Sequence, residues 1–348
     1  MRPLWNAALC LCLLLTLAGS VPAQQRKELN DAEKVRRQDI VPEPAPSFRP
    51  KFYPGTSFRS LRVPEVEYGY VSADNRNFFY EKVGYGIDNI VVIHGGPGLP
   101  HNYLLPALQT LAPYATIWFY DARGHGLSEQ NHPTESYTMQ QLVDDIDSFV
   151  KGAGIKNYTL FGHSFGGMVA LKYATTPRPG LKRLILSDTS ASLDYVGRFQ
   201  DSLKRVMPNG QYQEYERLQG ETNIPPDQKL REALRLVYPF YWFNPPKDEY
   251  MDLDIGAMNL NAMASDQIWS SDGQSYDVRK DLTKVEVPTL VFYGRYDVVF
   301  SYDDAKEIAD GVPDGRLVVL ERSGHYPFFE ENHIFTEWVR TFLEYYAS

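Results

Sequence analysis

The stretch Gly162-His163-Ser164-Phe165-Gly166 constrains this chain more than any other. It follows the apolar run Tyr158-Thr159-Leu160-Phe161 and precedes a helical pattern from Gly167 to Ala174. A serine flanked by glycines, set between a strand and a helix, demands a very sharp turn. The glycines permit that turn, and the serine is then held in a strained conformation with its hydroxyl exposed. A serine hydroxyl is a poor nucleophile at neutral pH unless a base takes its proton and an acid orients that base. What matters next is where histidines and carboxylates stand relative to the other strands.

The strands can be read from hydrophobic rhythm. Val66–Val71 and Asn77–Val83 alternate in polarity and are joined through Ala73-Asp74-Asn75, which predicts an opening antiparallel hairpin. Ile90–Ile93 is a short continuous apolar run, as expected of a strand buried on both faces, and Ala115–Tyr120 is a second. A helix near 138–152, the strand 158–161, the helix after the serine turn and the strand Leu184-Ile185-Leu186 follow. Strands alternating with helices imply right-handed crossovers and a three-layer α/β domain. The rhythm stops from about 190 to 285, a stretch of polar helices rich in Tyr, Trp and Pro, as in Tyr238–Pro245. It resumes with Pro288–Tyr293, a helix near 302–310, Leu317–Leu320 and a terminal helix near 331–346. The expected division is a core of 61–189 and 286–348 with a helical cap, 190–285, over the carboxyl edge of the sheet.

The first 23 residues read as a secretory signal peptide. Arg2 supplies the positive start, Ala7–Ala18 the apolar stretch, and Val21-Pro22-Ala23 a cleavage site before Gln24. The apolar run is well short of the roughly 20 residues a membrane span needs. Residues 24–60 are polar and then proline-rich (Pro42, Pro44, Pro46, Pro50) and read as a flexible arm. Both cysteines, Cys10 and Cys12, lie inside the leader, so the mature chain has neither disulfide nor cysteine metal site. Loss of Arg2 changes the formal charge from −9 to −10. That acidity argues against nucleic acid and anionic membranes as partners. Asn157-Tyr158-Thr159 is a glycosylation sequon at the entry to a buried strand. The expected location is therefore extracellular or in the secretory lumen, with no membrane span in the mature form. The oligomeric state is left open.

The partners for the serine arrive after later strands. Gly294-Arg295-Tyr296-Asp297 follows the strand 289–293, and Ser323-Gly324-His325 follows the strand 317–320. Parallel strands deliver their following loops to one edge of a sheet, so Ser164, Asp297 and His325 converge there. Asp188, after the strand 184–186, is a competing acid, while Asp303 and Asp304 read as the start of a helix. Acyl transfer also needs donors for the oxyanion. His94-Gly95-Gly96-Pro97-Gly98 follows the strand 90–93, and the expected donors are the N–H groups of Gly96 and Phe165. Asp121–Ser128 follows the next strand, and its polar residues are expected to brace loops rather than touch substrate. This chemistry requires neither a metal nor an organic cofactor.

Over about 65–345 the chain resembles the α/β-hydrolase superfamily, and its H-G-G-P-G loop at 94–98 resembles that of the proline iminopeptidases. The resemblance implies a mostly parallel eight-stranded sheet flanked by helices, with an inserted helical cap. It also implies a serine peptidase removing an N-terminal residue, often proline, from small peptides. It carries Ser164, Asp297 and His325 onto the triad, and Gly96 and Phe165 onto the oxyanion hole. Two departures bear on substrate. Those peptidases usually show G-G-S-W-G at the elbow, where this chain has His163 and Phe165, and its 121–128 loop is more like that of esterases and lipases.

An aminopeptidase must bind a free ammonium group, which calls for carboxylates in the pocket. The family takes these from the cap, where Glu232 is the candidate, with Tyr241 and Trp242 in an aromatic cluster that could line the pocket. Two enzymatic readings follow. One is a secreted aminopeptidase or amidase acting on small molecules or short peptides, and the other is a carboxylesterase or acylglycerol lipase. A third reading is a non-catalytic secreted binding module on the same fold; such modules typically lose part of the triad, which this sequence keeps.

Overall fold

The computed structural model describes residues 65–130 and 132–347. The expected leader (1–23) and arm (24–60) lie outside them. Eight strands form one sheet in the order β1-β2-β4-β3-β5-β6-β7-β8. β1 (Glu67–Ala73) and β2 (Arg76–Val83) form the expected hairpin, and β2 runs antiparallel to β4 (Ala115–Tyr120). Asp74 and Asn75 have φ of 49° and 59°, so two short polar residues supply the left-handed turn that matches strand twist. The remaining neighbours, β4-β3-β5-β6-β7-β8, are all parallel. β3 is Asp88–Ile93, β5 is Tyr158–His163, β6 is Leu181–Ser187, β7 is Thr289–Gly294 and β8 is Gly315–Leu320. Every residue of β5 and of β7 is buried, which explains the apolar runs Leu160-Phe161 and Leu290–Tyr293 at their centres.

Two strands outrun their apolar signals. β5 continues through Gly162 and His163, which pair with Leu186 and Ser187, although a glycine in sequence reads as a turn. β6 begins at Leu181 and carries the buried Arg183. That guanidinium is tolerated because it donates to Asp88 (3.0 Å) and to the carbonyl of Tyr346 (2.7 Å).

Helices cover both faces. α1 (Met139–Gly152) and α2 (Phe165–Ala174) follow the hairpin half and the serine turn. A Cβ on Gly162 would meet the carbonyl oxygen of Gly166 at 2.6 Å, so that face of β5 lies directly on α2. Strand alternation sends Phe161 to the other face, where it meets Phe335 (ring centroids 6.2 Å) of the terminal helix Asn332–Tyr345.

Five helices lie between β6 and β7: α3 (Tyr195–Val206), α4 (Asn209–Gln219), α5 (Pro226–Val237), α6 (Asp248–Ala257) and α7 (Ala262–Ser270). Arg231 of α5 donates to the carbonyls of Ile255 and Met258 (2.9 Å to the latter), which ties the carboxyl end of α6 to α5. Asn261 caps α7 through the Ala264 N–H (3.0 Å). It also bonds the carbonyls of Gly98 (3.0 Å, through its backbone) and Gly124 (2.7 Å), tying this helical layer to the loops after β3 and β4. Among the described residues no helix is long and apolar enough to cross a membrane.

Candidate active site

Ser164 sits between β5 and α2 at φ 55°, ψ −126°, a conformation L-residues rarely adopt. The turn is held from both sides. The Ser164 N–H donates to the Ser187 carbonyl (3.0 Å), and the Ser164 carbonyl accepts from Gly167 N–H (2.9 Å) and Thr189 Oγ1 (2.8 Å). A Cβ on Gly166 would lie 2.3 Å from the Ile93 carbonyl oxygen, so glycine is required for α2 to start this close to β3. Phe165 is the first residue of α2, where a backbone N–H has no intrahelical acceptor. Its ring meets Trp269 edge-on at 5.4 Å.

Asp297 and His325 come together from the loops after β7 and β8. His325 Nδ1 lies 3.0 Å from Asp297 Oδ2, and both side chains are buried. The other carboxylate oxygen accepts the Val299 N–H (2.8 Å), which fixes the acid's rotamer. With Nδ1–H given to the carboxylate, the imidazole keeps Nε2 as its basic nitrogen. His325 and Ser164 line one cavity, together with Gly95 and Gly96 of the loop after β3.

The competing acid, Asp188, is buried directly behind this pair. It has φ 48°, and its carboxyl accepts from Gly294 N–H (2.8 Å) and Ser187 Oγ (2.7 Å). It also hydrogen-bonds Asp297. Burial first, and then the charge of Asp297, raise its pKa well above the usual carboxylate range, so Asp188 is held neutral. Asp304 accepts from Ser301 in a capping box at the start of the helix Tyr302–Gly311, as its sequence position suggests.

The loop after β3 is shaped by its own histidine. His94 Nδ1–H donates to the Gly95 carbonyl (2.8 Å), while Nε2 accepts the Ala122 N–H (3.1 Å). Burial, with His125 nearby, lowers its pKa to about 3, so the ring stays neutral and keeps both bonds. Gly96 has φ 124°, which only glycine adopts readily. The 121–128 loop braces its surroundings as expected. Asp121 accepts from Leu127 N–H (2.7 Å) and His101 Nδ1 (2.8 Å), and Arg123 holds Asp145 through Nε (2.6 Å).

The cavity is roofed by Leu234, Tyr238, Tyr241, Ile255 and Met258, and Tyr326 stands beside the base. It is narrow. The cavity volume is about 20 Å³, room for little more than a water molecule, so an acyl group enters only if roof side chains shift. Of the cap candidates, Tyr241 lines the cavity, and its carbonyl accepts the His325 N–H (2.6 Å). Trp242 lies outside the lining and packs on Tyr326 (4.7 Å) and Phe329 (5.6 Å). Glu232 is also outside the lining, and its partner is Gln228 (3.2 Å). The carboxyl reaching the roof is instead Asp254, which accepts the Tyr238 hydroxyl (2.7 Å). Burial raises its pKa above the ordinary value. Asn157 is exposed just before β5, while Thr159 of its sequon is buried.

The family described as alpha/beta hydrolase fold matches residues 88–332. The chain belongs to the α/β-hydrolase family. This α/β-hydrolase is 27% identical over 300 residues to a proline iminopeptidase of Saccharolobus solfataricus, covering 80% of this chain and 93% of the relative. It is 27% identical over 297 residues to a proline iminopeptidase of Clostridium botulinum (80% and 98% covered). The solved structure of VinJ superposes with a TM-score of 0.65 at 26% identity, covering 80% of this chain and 98% of that one. The proline iminopeptidase of Mycobacterium smegmatis superposes equally well (TM-score 0.65, 22% identity, 80% and 98% covered), a likeness of fold. With these relatives, the chain is a hydrolase of the serine hydrolase superfamily.

Proposed function

We propose that this hydrolase works through an acyl-enzyme on Ser164, with His325 as base and Asp297 as its orienting acid. The observation that carries the reading is the His325 Nδ1 to Asp297 Oδ2 bond of 3.0 Å, made in a cavity that Ser164 also lines. His325 Nε2 takes the Ser164 proton as Oγ attacks the scissile carbonyl, and Asp297 stabilises the imidazolium that forms. The N–H groups of Gly96 and Phe165 receive the oxyanion; loss of one such donor typically raises the barrier by about 3–4 kcal/mol. His325 then returns the proton to the leaving group and activates the water that releases the acyl group.

The substrate reading that the relatives favour is a proline iminopeptidase-type aminopeptidase or amidase, secreted after loss of residues 1–23. Exposed Asn157 is the candidate glycosylation site in that compartment. One observation favours the second reading, a carboxylesterase or acylglycerol lipase. Among the described residues the cavity lining includes no carboxylate, so a free ammonium group finds no carboxylate partner there unless Asp254 is released from Tyr238. Hydrolysis of proline and alanine naphthylamides, free and N-acetylated, and of p-nitrophenyl esters separates the two. Turnover of the free amides alone supports the aminopeptidase. Equal turnover of blocked amides, or of esters only, supports the esterase.

A further inference from the structure

The residue before the nucleophile makes a contact that the mechanism above does not use. His163 Nε2 lies 2.9 Å from the carbonyl oxygen of His325. Its Nδ1 lies 2.7 Å from the Tyr103 hydroxyl, and that hydroxyl accepts the Gly95 N–H at 2.7 Å. The directions of these bonds are fixed by chemistry. A carbonyl oxygen can only accept, so Nε2 carries the hydrogen, and a neutral ring then has a bare Nδ1. Tyr103 has one hydrogen and gives it to that Nδ1, while its oxygen receives the Gly95 N–H. The run is unidirectional, Gly95 to Tyr103 to His163 to His325, and every member is buried. Burial, with His325 nearby, holds the His163 pKa far below that of a free imidazole, which keeps the ring in this single form. Burial likewise raises Tyr103, which retains its proton.

We propose that Tyr103 and His163 are positioning residues that lock the oxyanion loop to the backbone of the catalytic base. The run joins three loops that must hold register within a fraction of an ångström, those carrying Gly96, Ser164 and His325. The packing agrees, since a Cβ on Gly95 would meet the Tyr103 hydroxyl at 2.8 Å and Ser164 Cβ at 3.2 Å. Glycine is therefore required where the hydroxyl approaches. The elbow pattern of proline iminopeptidases has glycine at position 163, so this device belongs to this chain's own departure from that pattern. The inference rests on the serine-hydrolase reading.

The test is the second-order rate of labelling by a fluorophosphonate probe in the full chain, measured beside the thermal midpoint. Tyr103→Phe and His163→Gly should each slow labelling about tenfold to hundredfold, because small misplacements of reacting groups carry penalties of that size. The double variant should be no slower than the worse single, because breaking one link already disconnects the run. Additive effects, or labelling rates that follow only the loss in thermal midpoint, would overturn the inference. Nitrogen NMR of the unmutated protein gives a second readout that survives a misfolded variant. His163 should show protonated Nε2 and bare Nδ1, and the opposite tautomer overturns it. Labelling that persists in Ser164→Ala would instead remove the serine-hydrolase reading itself.

Discussion

Asp188 and Asp297 are hydrogen-bonded carboxyl neighbours, and of the two it is Asp297 that bonds the His325 imidazole, at 3.0 Å. Two buried carboxyls this close cannot both be charged at modest free-energy cost, so one stays protonated. Burial and its neighbour's charge both raise the pKa of Asp188, so the shared proton is expected on Asp188. The two asparagine variants should therefore differ. Asp297→Asn should lower kcat by on the order of 10⁴-fold, as loss of the orienting carboxylate does in serine hydrolase triads. Asp188→Asn, which keeps a neutral donor and acceptor, should lower it less than about tenfold. Steady-state kinetics on a p-nitrophenyl ester checks both, and equal losses would refute the assignment of roles.

Stability should fall in the alkaline range because of His101. Burial opposes charge on this ring, but hydrogen bonds to Asp121 (2.8 Å) and Glu81 (3.0 Å) more than offset it and raise the pKa to about 9. A raised pKa means that the folded state holds the proton more tightly than the unfolded one. The contribution is full below the unfolded value of roughly 6.5 and disappears as pH rises through about 9. Its size is on the order of 3 kcal/mol. Thermal midpoints of wild type and His101→Gln at pH 6 and pH 10 check this. The variant's deficit should be large at pH 6 and shrink markedly at pH 10.

Arg231 should govern the roof more than the chemistry. Its guanidinium serves carbonyls at Ile255 and Met258, and both residues line the cavity. Arg231→Met removes the side-chain donor from both carbonyls, at a cost of about 1–3 kcal/mol. KM should rise several-fold while kcat changes less than about threefold, and stopped assays over a range of substrate concentration separate the two.

The narrow cavity makes the acyl range a matter of roof volume. Leu234→Ala and Met258→Ala each remove side-chain bulk above Ser164 and should cost about 2–5 kcal/mol of stability. Each should shift preference among p-nitrophenyl esters toward longer acyl chains. An unchanged chain-length profile would mean that the acyl group lies elsewhere.

What sequence reveals here depends on how local the signal is. The order of Ser164, Asp297 and His325, each after an apolar run, was legible because one strand and its following loop suffice to read it. The hairpin turn at Asp74-Asn75 and the helix start marked by Asp303 and Asp304 were legible for the same reason. Tyr103 was not, because it stands in a loop with no periodic pattern, and its partner His163 is 60 residues away. His163 itself read only as part of the serine turn, since its bond to His325 spans 162 residues. Glu232 has the charge and the helix expected of an ammonium-binding residue, and neither shows where its side chain lies. Which face of α5 meets the cavity depends on how the cap docks, and docking presents Leu234 there while α6 brings Asp254 to Tyr238. Gly162 and Arg183 hid the true lengths of β5 and β6, because one reads as a turn and the other as surface.

The most direct measurement is peptide mapping by mass spectrometry after reaction with a fluorophosphonate, on wild type and on His325→Ala. A single adduct is expected, on Ser164, forming at least about 10³-fold more slowly once the imidazole is gone. An adduct on another residue, or labelling of Ser164 indifferent to His325, would contradict it.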